Sequence, residues 1–176
     1  MRLRPALVSL GLVVLVGGAF RLGSSVARAG DEKGDGAMRP VAKITHPFFR
    51  ALEGSFTTAS KATWGEGKGK ASCRFAVGET AFVEEYENGE GEQAFHGLAL
   101  YKVSDDGKSV AMWWLDSMGK EPQKFEGVLA DDGYEAKGAS PHGPTTLALK
   151  KTEGGFRFTM TVNGAAVMTE DWTRAK

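Results

Sequence analysis

From Gly54 to Arg174 apolar and polar residues alternate in short runs, each ended by a glycine-rich, Asp-Gly or Asn-Gly turn, with no convincing helix between them. Alternation at period two puts every second side chain on one face, the pattern of a half-buried strand. The runs predict strands over Ser55 to Trp64, Lys68 to Val77, Thr80 to Glu87, Gln93 to Val103, Ser109 to Ser117, Gln123 to Ala130, Tyr134 to Ser140, Thr145 to Lys151, Phe156 to Val162 and Ala165 to Arg174. Asp106-Gly107, Asp132-Gly133 and Asn163-Gly164 are the firmest turns, the last a two-residue hairpin in which both central residues can take positive φ. Pro141-His142-Gly143-Pro144 reads as a compact loop, because proline lacks the backbone donor a central strand needs. So long a series of sequential strands closes on itself to remove its edges. The expected fold is all-β, a roughly ten-stranded antiparallel up-and-down barrel.

Ahead of the strands, Ile44 to Gly54 forms a short helical turn: Thr45 or His46 caps it, Pro47 occupies a first helical position and Gly54 stops it. Phe48, Phe49 and Leu52 fall at helical spacing and could plug one end of a barrel. Gly30 to Met38 is polar, and residues 30–43 are read as a flexible leader to a barrel domain over 44–176. Further upstream, Arg2 and Arg4 precede the apolar run Ala6 to Phe20, and Ala27-Arg28-Ala29 offers small residues for cleavage before Gly30. That is the layout of a secretory signal peptide over residues 1–29, so export to the periplasm or beyond the cell is expected. The run is shorter than the roughly 20 residues that span a bilayer, which argues against stable membrane insertion after cleavage.

Composition then narrows the function classes. The full chain is neutral, with 22 basic and 22 acidic residues. Cleavage removes Arg2, Arg4, Arg21 and Arg28 and no acid, leaving a net charge of about −4. A mildly acidic protein does not suit nucleic acid or anionic membrane surfaces. Cys73 is the single cysteine, so no internal disulfide forms; its alternation with Phe75 and Val77 marks it as a buried structural thiol.

The middle strands are apolar on both faces: His96, Leu98 and Leu100 oppose Phe95, Ala99 and Tyr101, while Met112 and Trp114 oppose Trp113 and Leu115. Two-sided burial calls for a second cover, which the Pro47 to Leu52 segment, a partner subunit or an interior ligand would supply. A binding module would place Phe82, Leu98, Leu100, Tyr101 and Trp114 around a small apolar or amphipathic molecule, with His96 as polar contact. The enzyme alternative makes His96 an acid or base with Asp116 as its electrostatic partner, although Asp116 near a strand end also suits a turn cap. A third reading is a homodimer with no ligand. Glu84 and Glu85 are adjacent on a strand and point to opposite faces, so they cannot work side by side, and one should face solvent. His46, His96 and His142 lack metal-ligand spacing, no nucleophile elbow surrounds a serine, and Gly65, Gly67 and Gly69 read as a mobile hairpin loop rather than a phosphate cradle.

Several of these segments resemble a bacterial family catalogued as domain of unknown function 1579. His46-Pro47-Phe48-Phe49-Arg50-Ala51-Leu52-Glu53-Gly54-Ser55-Phe56 is similar to the family's His-x-x-Leu-x-x-Leu-x-Gly-x-Trp opening, with Phe56 in place of the tryptophan. Phe82-Val83-Glu84-Glu85-Tyr86 resembles its Phe-Leu-x-Glu-x-Tyr strand, and Phe95-His96-Gly97 through Trp114-Leu115-Asp116-Ser117 its Phe-x-Gly and Trp-x-Asp-Ser run. The chain departs where the family's Tyr-Asp pair stands as Tyr101-Lys102, which leaves no aspartate there to carry a role. The resemblance implies a lipocalin-like, or calycin-type, barrel with a cavity and no settled activity. Related barrels bind haem through a histidine, yet only His142, in its Pro-Gly-Pro loop, follows His96. No cofactor is therefore expected, with haem the one outside candidate.

Overall fold

The fold comes from a computed structural model, which describes residues 40–176. The expected signal peptide and most of the leader lie outside the described residues. One short helix, α1 (Pro47–Leu52), precedes ten strands: β1 (Gly54–Ala62), β2 (Gly65–Ala76), β3 (Ala81–Asn88), β4 (Phe95–Val103), β5 (Ser109–Asp116), β6 (Gln123–Ala130), β7 (Gly133–Ser140), β8 (Gly143–Thr152), β9 (Gly155–Val162) and β10 (Ala165–Arg174). Every strand pairs antiparallel with its sequence neighbours, and β1 pairs with β10 from Phe56↔Arg174 to Ala62↔Met168, so the barrel is closed.

Turn chemistry does much of this work. Asn163 and Gly164 both have positive φ, 53° and 81°, which lets two residues join β9 to β10 with the right twist. Two local expectations are corrected. Gly65, Gly67 and Gly69 are not a hairpin loop but the first inward positions of β2, which pairs with β1 as Gly65↔Ala62, Gly67↔Ser60 and Gly69↔Thr58. Pro144 lies inside β8 opposite Ala139, its carbonyl accepting from the Asn163 amide at 2.8 Å. It sits next to the first residue of its strand, where proline is tolerated.

The two ends of the barrel differ. At one end α1 is a stopper. His46 caps it, its Nδ1 accepting from the Phe48 amide at 3.3 Å, and Pro47 fills a position that needs no amide hydrogen. Phe48, Phe49 and Leu52 are fully buried. Phe48 meets Tyr134 and Phe156 edge-on with centroids 6.0 and 5.8 Å away, while Phe49 packs on Phe82 at 4.9 Å and Tyr101 at 5.6 Å. Arg174 of β10 donates to the Ala51 and Glu53 carbonyls at 2.8 and 2.9 Å, tying the helix's C-terminal end to the last strand.

At the opposite end, formed by the β1–β2, β3–β4, β5–β6, β7–β8 and β9–β10 connections, no such stopper stands among the described residues. Inward-facing Phe95, Trp114, Phe158, Met160 and Met168 are only half-buried there. Solvent therefore reaches several large apolar side chains of the inner wall at this end, whereas at the stopper end the partly exposed inward side chains include Phe75 and Val103.

Candidate functional site

The inner wall of the open half combines an aromatic rim with a polar floor. Trp114 of β5 stacks on Phe95 of β4 with centroids 6.3 Å apart and planes 18° from parallel, and Tyr86 of β3 lies 6.4 Å from Trp114. Glycine at position 97 makes this stack possible, since any Cβ there would run into the Trp114 ring. Trp114 Nε1 donates to Asp116 Oδ2 at 2.8 Å, and Asp116 Oδ1 accepts from the Met118 and Gly119 amides at 2.9 and 2.6 Å. Asp116 thus both caps the β5–β6 turn and fixes the tryptophan. Beside this rim a depression of about 490 Å³ lies between the β5–β6 loop and the β7–β8 turn, lined in part by Gly119, Pro122, Gln123 and Pro141.

Deeper in, polar side chains occupy inward positions among the apolar ones. Glu170 of β10 is 3% exposed; its Oε1 accepts from the Tyr86 hydroxyl at 2.6 Å and its Oε2 from Trp172 Nε1 at 2.8 Å. Asn88 Nδ2 donates to the same Tyr86 oxygen at 2.8 Å and to Ser60 Oγ at 3.4 Å. Thr58 Oγ1 lies beside the Tyr86 hydroxyl but makes no hydrogen bond of ordinary geometry, and is buried without a partner. The β2 glycines are what let these groups meet. A Cβ at Gly67 would stand 2.7 Å from Asn88 Oδ1 and 2.8 Å from Ser60 Oγ, and one at Gly69 would stand 2.9 Å from Thr58 Oγ1.

A second polar group lies toward the stopper. Glu84 of β3, 5% exposed, accepts at Oε2 from the Tyr101 hydroxyl at 2.6 Å, and Tyr101 shares a 3.2 Å hydrogen bond with Tyr134. Burial pushes the Glu84 acid up to about 7; the Tyr101 hydrogen bond opposes the rise and the negative field of Glu170 adds to it. Burial also raises the Tyr86, Tyr101 and Tyr134 hydroxyls and the Cys73 thiol, so none ionises at physiological pH.

Sequence-based candidates separate by strand parity. Phe82, Tyr101, Trp114 and Asp116 face inward, though Phe82 and Tyr101 are sealed under α1 rather than set around an opening. Leu98 and Leu100 alternate with inward Ala99 and Tyr101 and lie on the outer face, Leu98 opposite Leu115 and Leu100 opposite Trp113. His96 is on the outer face as well, exposed, so it shares no interior with Asp116. The alternation pattern alone does not single out Glu84, Glu170, Tyr86, Asn88, Thr58 and Ser60 as interior polar groups. A signal for two of them exists, since Glu84 falls between Phe82 and Tyr86, and Glu170 between Met168 and Trp172, at period-two spacing. Among the described residues, no group of three His, Cys, Asp or Glu side chains converges as a metal site would.

The geometry defines a closed up-and-down β-barrel with one sealed end. No family model matches the chain, and no curated protein matches it. Among solved structures it is similar to one described as a redesigned beta barrel, at 9% identity over 77% of this chain and 100% of that one, with a TM-score of 0.43.

Proposed function

We propose that this protein is a binding barrel that takes one end of a small amphipathic molecule through its open end, as an exported carrier or sensor rather than an enzyme. One observation carries the reading: the stopper end buries Phe48, Phe49, Phe82 and Tyr101 completely and leaves Phe75 partly exposed, while inward-facing Phe95, Trp114, Phe158 and Met160 at the other end all stay half-exposed above buried polar groups. Apolar walls with a few convergent polar atoms are how small-molecule sites are built. Half-exposed rings and thioethers gain by being covered, at roughly 25 cal/mol per Å² of apolar surface removed from water. The likeness of its motifs to a family of cavity-bearing barrels points the same way. The catalytic reading has less support, because His96 lies outside the barrel and Asp116 is committed to Trp114 and its turn.

The test is solvent extraction and native mass spectrometry of protein purified from its own host, followed by titration with a panel of small lipophiles. A bound molecule, or panel binding that Trp114→Ala weakens at least tenfold without unfolding the barrel, is expected. No bound molecule and no panel binding would overturn the proposal.

A further inference from the structure

The polar floor of the open half shows which end of an amphiphile can enter, on the reading that this end is a binding site. Unspent acceptors there outnumber the unspent donors, which are the Thr58 and Ser60 hydroxyl hydrogens. The Tyr86 hydroxyl and Trp172 Nε1 spend their hydrogens on Glu170, and the Asn88 amide hydrogens go to Tyr86 and Ser60. Because Tyr86 gives its only hydrogen to Glu170, its oxygen must accept from Asn88, which fixes the amide with Oδ1 free to accept. Thr58 Oγ1, on a residue 4% exposed, lies beside the Tyr86 hydroxyl without a hydrogen bond of ordinary geometry. Each Glu170 oxygen receives one hydrogen bond from the protein and has a lone pair left.

Away from Arg174 at the stopper end, the charges on the inner wall have one sign among the described residues. Glu84 and Glu170 face the interior, with Asp116 at the rim; among the described residues no Lys, Arg or His faces inward in the open half. The basic residues of that region alternate outward, Lys61 on β1, Lys68 and Lys70 on β2, Lys124 on β6. A carboxylate or phosphate brought here would lose water beside a buried carboxylate with no cation to offset it. A donor group loses water and gains waiting acceptors. The β2 glycines have no Cβ where Thr58, Ser60 and Asn88 converge, and the polar ends of those side chains take up that room. We infer that the inner end of the ligand is a hydrogen-bond donor cation, a protonated primary amine on an apolar chain or ring, held between Glu170, Thr58 Oγ1 and Asn88 Oδ1, and that anionic amphiphiles are rejected.

Calorimetric titration of the intact protein at pH 7.5 with n-decylamine, n-decanol and decanoate separates head group from tail. Decylamine should bind at least tenfold more tightly than decanoate, with decanol between them. Glu170→Gln should cut the preference for decylamine over decanol at least tenfold. Thr58→Val, close in shape, should cut it severalfold and answers the question should Glu170→Gln fail to fold. Decanoate binding as tightly as decylamine would overturn the inference, as would a preference unchanged in both variants. If all three probes bind alike, the head-group assignment fails while the binding site stands; if none binds, both fail.

Discussion

Glu84 shows how one buried side chain can set the behaviour of its surroundings. It faces Tyr101, Tyr134, Cys73 and the field of Glu170, with no cation among its partners. Its folded pKa of about 7 lies above the ordinary 4.5, so the folded state holds a proton that the unfolded state releases. The full benefit is present below the unfolded value and is lost as pH rises toward 7, where stability should level off about 3 kcal/mol lower, because each tenfold difference in proton affinity between the two states is worth about 1.4 kcal/mol. Urea unfolding at pH 4.5 and pH 8 should show this fall in the wild type and lose it in Glu84→Gln; an equal fall in both would refute the assignment. Alternation marks Glu84 and Glu85 as opposite-facing, and Glu85 is indeed outside, paired with Arg74 at 2.8 Å. Alternation alone leaves open which of the two is inside: Glu84 falls between Phe82 and Tyr86, but Val83 and Leu100 make the outer face of these strands apolar too. The same ambiguity puts Leu98, Leu100 and His96 in one candidate site with Tyr101 and Trp114. Alternation gives relative parity; absolute parity needs a face that is clearly wet.

At the scale of elements, the strands and α1 are legible because each carries its own local signal. Asn163-Gly164 fixes a hairpin and His46-Pro47 starts a helix, with no help from distant residues. The glycines of β2 look like a loop in the sequence because their reason is tertiary. Glycine usually weakens a strand, but here it makes room for Thr58, Ser60 and Asn88 from β1 and β3. Gly69→Val should therefore destabilise the barrel by about 1–3 kcal/mol through overpacking against the Glu87 carbonyl and Thr58. Lys68→Val and Lys70→Val, facing out on the same strand, should stay within about 0.5 kcal/mol. Chemical denaturation of the set checks this. Equal effects at all positions would return Gly69 to the role of a loop residue.

For the whole molecule, closure matters more than any single contact. With β1 paired to β10 there is no edge strand to fray, so the barrel should open as one unit. Cys73, 2% exposed on the inner face of β2, reports on that opening. Labelling by a thiol reagent in rising urea should track the loss of circular dichroism; labelling well before the main transition would show that β2 opens separately. The α1 stopper has one more consequence. Under the proposed binding role, a tube closed at the bottom has one door, through which cargo must both arrive and leave, and it can grip only the leading end of what enters. Lengthening a guest's tail past the rim would then add bulk outside and little grip, so affinity should plateau with tail length while the exposed remainder stays free for a second handler to grasp.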